Sequence, residues 1–244
     1  MANWSDPRIG TTPHTATTAP SDVAFDAGLR SHMLSVYNYM ASGVLLTGIV
    51  AYAAGMLGIP QTLFTGGNLL GYVVIFAPLI MVFFLMARVN HMSTGGMQAF
   101  FWSFATVMGL SMSVIPLVYN GSSIATAFVG TAAAFVSLSL WGYTTKKDLS
   151  GFGTFLIMGV VGLMVAMIAN IFMQSAAMDM AISLIGVLLF AGLTAYDTQK
   201  IKSLYFQIAG TEFVGKAAIL GALTLYLDFI NMFQFLLSLI GNRD

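Results

Sequence analysis

Two aspartates are the residues of this chain whose type and placement could do chemistry. Ala191-Gly-Leu-Thr-Ala-Tyr-Asp197-Thr-Gln-Lys closes one apolar run, and Leu223-Thr-Leu-Tyr-Leu-Asp228-Phe-Ile-Asn231 lies in the middle of the next. The remaining apolar runs carry no acidic or basic side chain at all. An ionised carboxylate in hydrocarbon costs about 3 kcal/mol on insertion scales and more in simulation, so an intramembrane acid points to function. Two carboxylates that share a site cannot both ionise freely, and they titrate as a unit. With one proton between them they draw their helices together. With none they repel, which separates the helices and opens a water path. Two carboxylates with nearby oxygens also suit a hard cation such as Ca²⁺, although a tight site needs roughly six to eight oxygens. Asp197 and Asp228 therefore read as weak, transient Ca²⁺ ligands on a pathway. The plainer alternative is a protonated carboxyl serving as hydrogen-bonded glue between helices. For Asp197, close to Lys200, an interface position is a further one.

Whether the two carboxyls meet depends on the helices that carry them. Gly210-Thr-Glu212 has the form of a helix stop, a Thr cap and an acid in the first turn. The sixth helix is thus expected to run to about Ile208 and the seventh to begin near Thr211. In that antiparallel hairpin the levels of the two aspartates differ by roughly 7 to 8 Å, which a tilt or kink must close. At 100° per residue Thr224, Asp228 and Asn231 form one polar stripe on the seventh helix. Lipid offers such a stripe no hydrogen bonds, so it must face protein, which makes the seventh helix central. Thr224 and Asn231, with Tyr196 beside Asp197, are the polar residues expected to support the pair.

Composition agrees with a membrane setting. Of 244 residues 58% are hydrophobic and 7% charged, and mean hydropathy is +0.86; soluble domains carry about 25% charged residues. Seven apolar runs (34–58, 69–87, 97–118, 123–143, 152–173, 180–197 and 217–240) each approach the roughly 20 residues that cross a bilayer. Only helices satisfy their own backbone in lipid at that length, so the expected fold is an all-α polytopic membrane protein of seven transmembrane helices. Residues 28–244 form that domain, and the Thr/Pro-rich residues 1–27 read as a disordered polar tail with no apolar signal-peptide core. Net charge is zero, with nine basic and nine acidic residues, so no basic patch marks a nucleic-acid partner. Without cysteine there is no disulfide, thiolate nucleophile or Cys-ligated metal, and His14, His32 and His91 lack metal-site spacing.

With the N-terminus inside, Arg8, Arg30, Arg88, Lys146, Lys147, Lys200, Lys202 and Lys216 all fall on the inner side, and of the nine basic residues Arg243 alone lies outside. That is a consistent positive-inside bias.

Tyr196-Asp197-Thr-Gln-Lys-Ile201 followed by Leu225-Tyr-Leu-Asp228-Phe-Ile-Asn231 resembles the Bax inhibitor-1 family, also called transmembrane Bax inhibitor motif proteins. The resemblance covers roughly residues 28–241 and is to bacterial members. It implies seven helices with the last one central, and a pH-regulated calcium leak gated by two aspartates, here Asp197 and Asp228. It implies Ca²⁺ as the transported ion with no resident cofactor and no enzymatic activity. The expected location is the bacterial inner membrane, with protons, Ca²⁺ and lipid as partners. The family pattern also includes a basic residue of the second helix that pairs with the sixth-helix aspartate. Arg88 is the nearest candidate for this latch, and an interface anchor is its other reading.

Three rivals remain open at this stage. An intramembrane aspartyl protease also uses Tyr-Asp on one helix and Asp on the next, but its second motif is Gly-x-Gly-Asp. Leu225-Tyr-Leu-Asp228 is bulky there, and no Pro-Ala-Leu follows it. A non-conducting regulator that binds other membrane proteins, such as a quality-control protease, and a proton-coupled carrier are the others. The topology is directly testable because the chain has no native cysteine. Cysteines introduced singly at Thr12 and Asn242 should label from opposite faces of the membrane; labelling from one face would mean an even number of crossings.

Overall fold

The computed structural model describes residues 20–64 and 68–241, with side chains from Asp26 onward. The expected tail over residues 1–19 lies outside the described residues. Residues 20–27 are helical, so the helical domain begins earlier than the expected boundary at 28. Polarity alone did not mark that edge, because a polar segment continues an established helix at little cost once the first turn exists.

The seven long helices are α1 (Pro20–Met56), α2 (Leu69–Arg88), α3 (Thr94–Ser111), α4 (Gly121–Thr144), α5 (Ser150–Met173), α6 (Ala176–Ile208) and α7 (Phe213–Ile240). All seven are long and apolar enough to cross a membrane, among the described residues. A short helix, Ile59–Phe64, follows α1, and α3 is prolonged by a 3₁₀ turn and the turn Ile115–Val118. Four helix starts are fixed by side chains that satisfy otherwise orphaned N–H groups. Asn68, Ser93, Asn120 and Ser175 accept from Leu70, Gly96, Ser123 and Met178 respectively. Gly210 closes α6 with φ +79°, a left-handed conformation that glycine adopts without strain. The hairpin between α6 and α7 therefore turns where the Gly-Thr-Glu pattern places it.

α7 is the central helix. Of its apolar stretch 61% is buried, against 11% to 33% for the other six. It packs along α6 and is flanked by α1, α4 and α3, while α5 leans on α6 and α2 on α3. The peripheral helices turn Phe83, Val161 and Phe172 outward, as a hydrocarbon solvent permits. Since lipid is as apolar as leucine, close contact between helices rests on packing and small residues. The crossing of α4 over α6 shows this. Gly142 of α4 lies so close to the Ala195 carbonyl of α6 that a Cβ there would collide with backbone, which cannot swing aside.

Gly142→Ala should accordingly destabilise the protein by about 1 to 3 kcal/mol, read as a fall in apparent Tm in detergent micelles. Gly162→Ala, on α5 with nothing within 4 Å of the new methyl, should not. Equal behaviour of the two would mean that α4 and α6 do not touch at Gly142.

A buried aspartate pair as candidate functional site

Asp197 sits on α6, one turn before Lys200, and Asp228 sits near the middle of α7. Asp228 lies about one turn, ~6 Å, farther from the connecting hairpin than Asp197 does. The direction of side chains closes this offset. Each Cβ tilts toward the N-terminus of its own helix. In an antiparallel pair, Asp228 therefore leans toward the hairpin and Asp197 leans away from it, so the two carboxyls approach one another. They lie within side-chain hydrogen-bonding reach. Both are buried, Asp197 at 8% exposure and Asp228 at 4%. Oδ2 of Asp228 is enclosed with no hydrogen-bond partner among the described residues. Two carboxyl groups can hydrogen bond to each other only if one of them carries a proton, because a carboxylate has no donor.

The four residues Asp197-Thr-Gln-Lys point around α6 at successive 100° steps, and the first three each face a different neighbour. Asp197 faces α7. The Thr198 hydroxyl bonds the Ser139 hydroxyl of α4 at 2.9 Å and donates to the Thr194 carbonyl at 2.7 Å. Ser139 in turn bonds the Tyr37 hydroxyl of α1 at 2.7 Å. Gln199 clamps the α4–α5 loop, accepting from Leu149 N–H at 2.8 Å and donating to the Lys147 carbonyl at 2.8 Å. In that loop Asp148 accepts from Ser150, and these hydrogen bonds hold its exposed carboxyl below the ordinary range. Lys200 lies 5.9 Å from the Tyr196 ring centroid, and its charge acts on Asp197. Two residues further on, Lys202 donates to the Tyr143 carbonyl at 2.8 Å.

The other expected site residues are placed less centrally. Thr224 and Asn231 are half-buried and donate to carbonyls of their own helix, Leu220 at 3.1 Å and Leu227 at 2.8 Å. The Thr224 hydroxyl donor and one of the two Asn231 N–H donors are thus spent locally rather than on the pair. Tyr196 turns toward Gly153 of α5, away from Asp228. Arg88 is exposed, and its guanidinium stands 5.9 Å above the Phe84 ring one turn back. No ion pair joins it to Asp197 among the described residues. The reason is the position of α2, which packs on α3 at the edge of the bundle and not on α6. In this structure the latch contact is not made, and Arg88 stands as a surface residue.

Two buried polar groups were not singled out from the sequence. The Tyr226 hydroxyl bonds Thr47 of α1 at 2.7 Å, and Thr47 also donates to the Ala105 carbonyl of α3 at 2.9 Å. Tyr226 is fully buried, so this bond ties the central helix to two others. The signal was there, as a tyrosine two residues before Asp228 cannot share its face. His32 of α1 is also buried, with its ring 5.1 Å from that of Tyr205 and no hydrogen bond to either nitrogen among the described residues.

A central helix with one buried acid, paired across a hairpin with another, defines a polytopic α-helical membrane protein whose polar centre is a carboxyl pair. The chain belongs to the Bax inhibitor-1 family, as the family model described as "Inhibitor of apoptosis-promoting Bax1" matches it over residues 29–244. It is similar to "Inner membrane protein YbhL" of Escherichia coli K12, at 46% identity over 220 residues, 89% of this chain and 94% of that protein. A protein of Rickettsia prowazekii is 43% identical over 231 residues, 94% of this chain and 97% of its own. YrjE of Lactococcus lactis is 38% identical over 233 residues, covering 92% and 99%.

Proposed function

We propose that this protein is a pH-sensitive leak pathway for Ca²⁺ or a like cation, gated by Asp197 and Asp228. The observation that carries the reading is the Asp228 carboxyl. It is buried on the central helix, with one oxygen unpartnered among the described residues and Asp197 within hydrogen-bonding reach. A carboxyl kept only as glue would be expected to use both oxygens.

In the closed state one proton lies between the two carboxyls and holds α6 to α7. When that proton leaves, two facing anions in a poorly polarisable interior repel one another. The same two anions attract a divalent cation, so proton and cation compete for one place. Two carboxylates are few for Ca²⁺, which keeps the ion from being trapped. Lys200 limits the negative potential at the inner mouth. This mechanism moves ions and protons and breaks no covalent bond.

The proposed location is the bacterial inner membrane, with the N-terminus in the cytoplasm and the C-terminus outside. The name of the E. coli relative supports the membrane, and the distribution of Lys and Arg supports the orientation.

The test is Ca²⁺ flux into liposomes that contain the purified protein, followed between about pH 5 and 8. The wild-type rate should change with pH. Asp228→Asn and Asp197→Asn should each flatten that dependence, since an amide does not titrate. Arg88→Gln should leave the midpoint in place, because Arg88 does not contact the pair. Wild-type pH profiles in both aspartate variants would remove the pair as the sensor.

A further inference from the structure

α1 and α4 both pack on α7 but hardly on each other. Between them runs an open cleft of 730 Å³, with Phe229 of α7 on its floor. Its walls are apolar, and they include Met33, Met40 and Val44 of α1 and Phe128, Ala132 and Phe135 of α4. From Arg30 at one end to Val44 at the other it extends ~21 Å along α1. One leaflet of hydrocarbon is ~15 Å deep, so the cleft covers that depth and reaches the headgroup level at Arg30.

The polar groups within its depth are already committed to each other, because Tyr37 and Ser139 bond across the cleft at 2.7 Å. An occupant gains no hydrogen bond from them, which selects hydrocarbon over a polar solute.

The mouth is basic. Arg30 lines it, and Lys202 holds Tyr143, another lining residue, through its carbonyl and with the ammonium 4.9 Å from its ring centroid. Lys146 and Lys147 follow directly after α4 and are exposed. The acids nearby are Asp26, one turn before Arg30, and Asp148, which accepts from Ser150. Neither forms an ion pair with Arg30 among the described residues.

We propose that this cleft is a binding site for an anionic glycerophospholipid. One acyl chain lies between α1 and α4 over Phe229, and the phosphate rests on the Arg30 guanidinium. The site does not depend on the cation-leak reading. A lipid there substitutes for the missing contact between α1 and α4 and supports the wall that carries Tyr37, Ser139 and, behind them, Thr198.

The full chain, delipidated in detergent, should be titrated with 1-palmitoyl-2-oleoyl phosphatidylglycerol and with the matching phosphatidylcholine, and bound lipid counted by native mass spectrometry. Phosphatidylglycerol should be retained about fivefold more strongly, the contribution of one arginine beside an anionic headgroup. Arg30→Gln should bring the two lipids level. Ala132→Phe, which fills the cleft from α4, should weaken both at least about tenfold, and Ala41→Phe should do so from α1 if the first variant does not fold. Val161→Phe on the exposed face of α5 should change neither. Equal retention of the two lipids by the wild type would overturn the proposal. So would unchanged binding in a folded, cleft-filled variant, or a dimer mass with no lipid.

Discussion

A carboxyl group in the middle of a bilayer must find a partner or give up its charge, and the arrangement of this bundle follows from that constraint. Asp228 cannot face lipid, so α7 must be enclosed, and α6, α1, α4 and α3 enclose it. Among the described residues Asp197 lies within side-chain hydrogen-bonding reach of Asp228. Its own helix is fixed on the remaining sides by Thr198, Gln199 and the close crossing at Gly142. Moving Asp197 by one residue along α6 would turn it about 100° away from α7, and the pair would be lost.

The rest of the bundle holds this geometry without a hydrophobic effect between helices. Tyr226 and Thr47 join the central helix to α1, and Ser183 bonds Ser238 at 3.1 Å near the far ends of α6 and α7. Phe190 stacks on Phe235 at 5.9 Å on the same side. The pair of helices is thus fastened at the hairpin and at its far ends, with the two acids between. α1 and α4, joined by little more than the Tyr37–Ser139 bond, leave a seam beside that section.

The seven helices, the hairpin near Gly210 and the central place of α7 were legible in the sequence because each rests on a local rule. Length against bilayer thickness, a glycine stop, and one polar stripe on an apolar helix need no knowledge of neighbours. The approach of Asp197 to Asp228 was legible only as an offset, since axial rise ignores the lean of side chains toward each helix N-terminus. The choice between latch and interface anchor for Arg88 was not legible for a different reason. Sequence gives its level at the inner end of α2, but which helix α2 packs against is a tertiary fact, and it packs on α3. Thr224 and Asn231 shared a face with Asp228 yet each donates to a carbonyl one turn back, a choice open to any Thr or Asn in a helix. The cleft between α1 and α4 had no sequence signal, because an absent contact has none.

The proton itself is the most direct thing to measure. Infrared difference spectra of the protein in lipid, recorded as the pH is scanned, resolve the carbonyl stretch of a hydrogen-bonded carboxylic acid from that of carboxylates. A proton shared between Asp197 and Asp228 predicts such a band, lost on alkalinisation in the wild type and displaced to lower pH in Asp228→Asn, whose amide donates to the Asp197 carboxylate. A band that persists unchanged in Asp228→Asn, or no such band in the wild type, would contradict the shared proton.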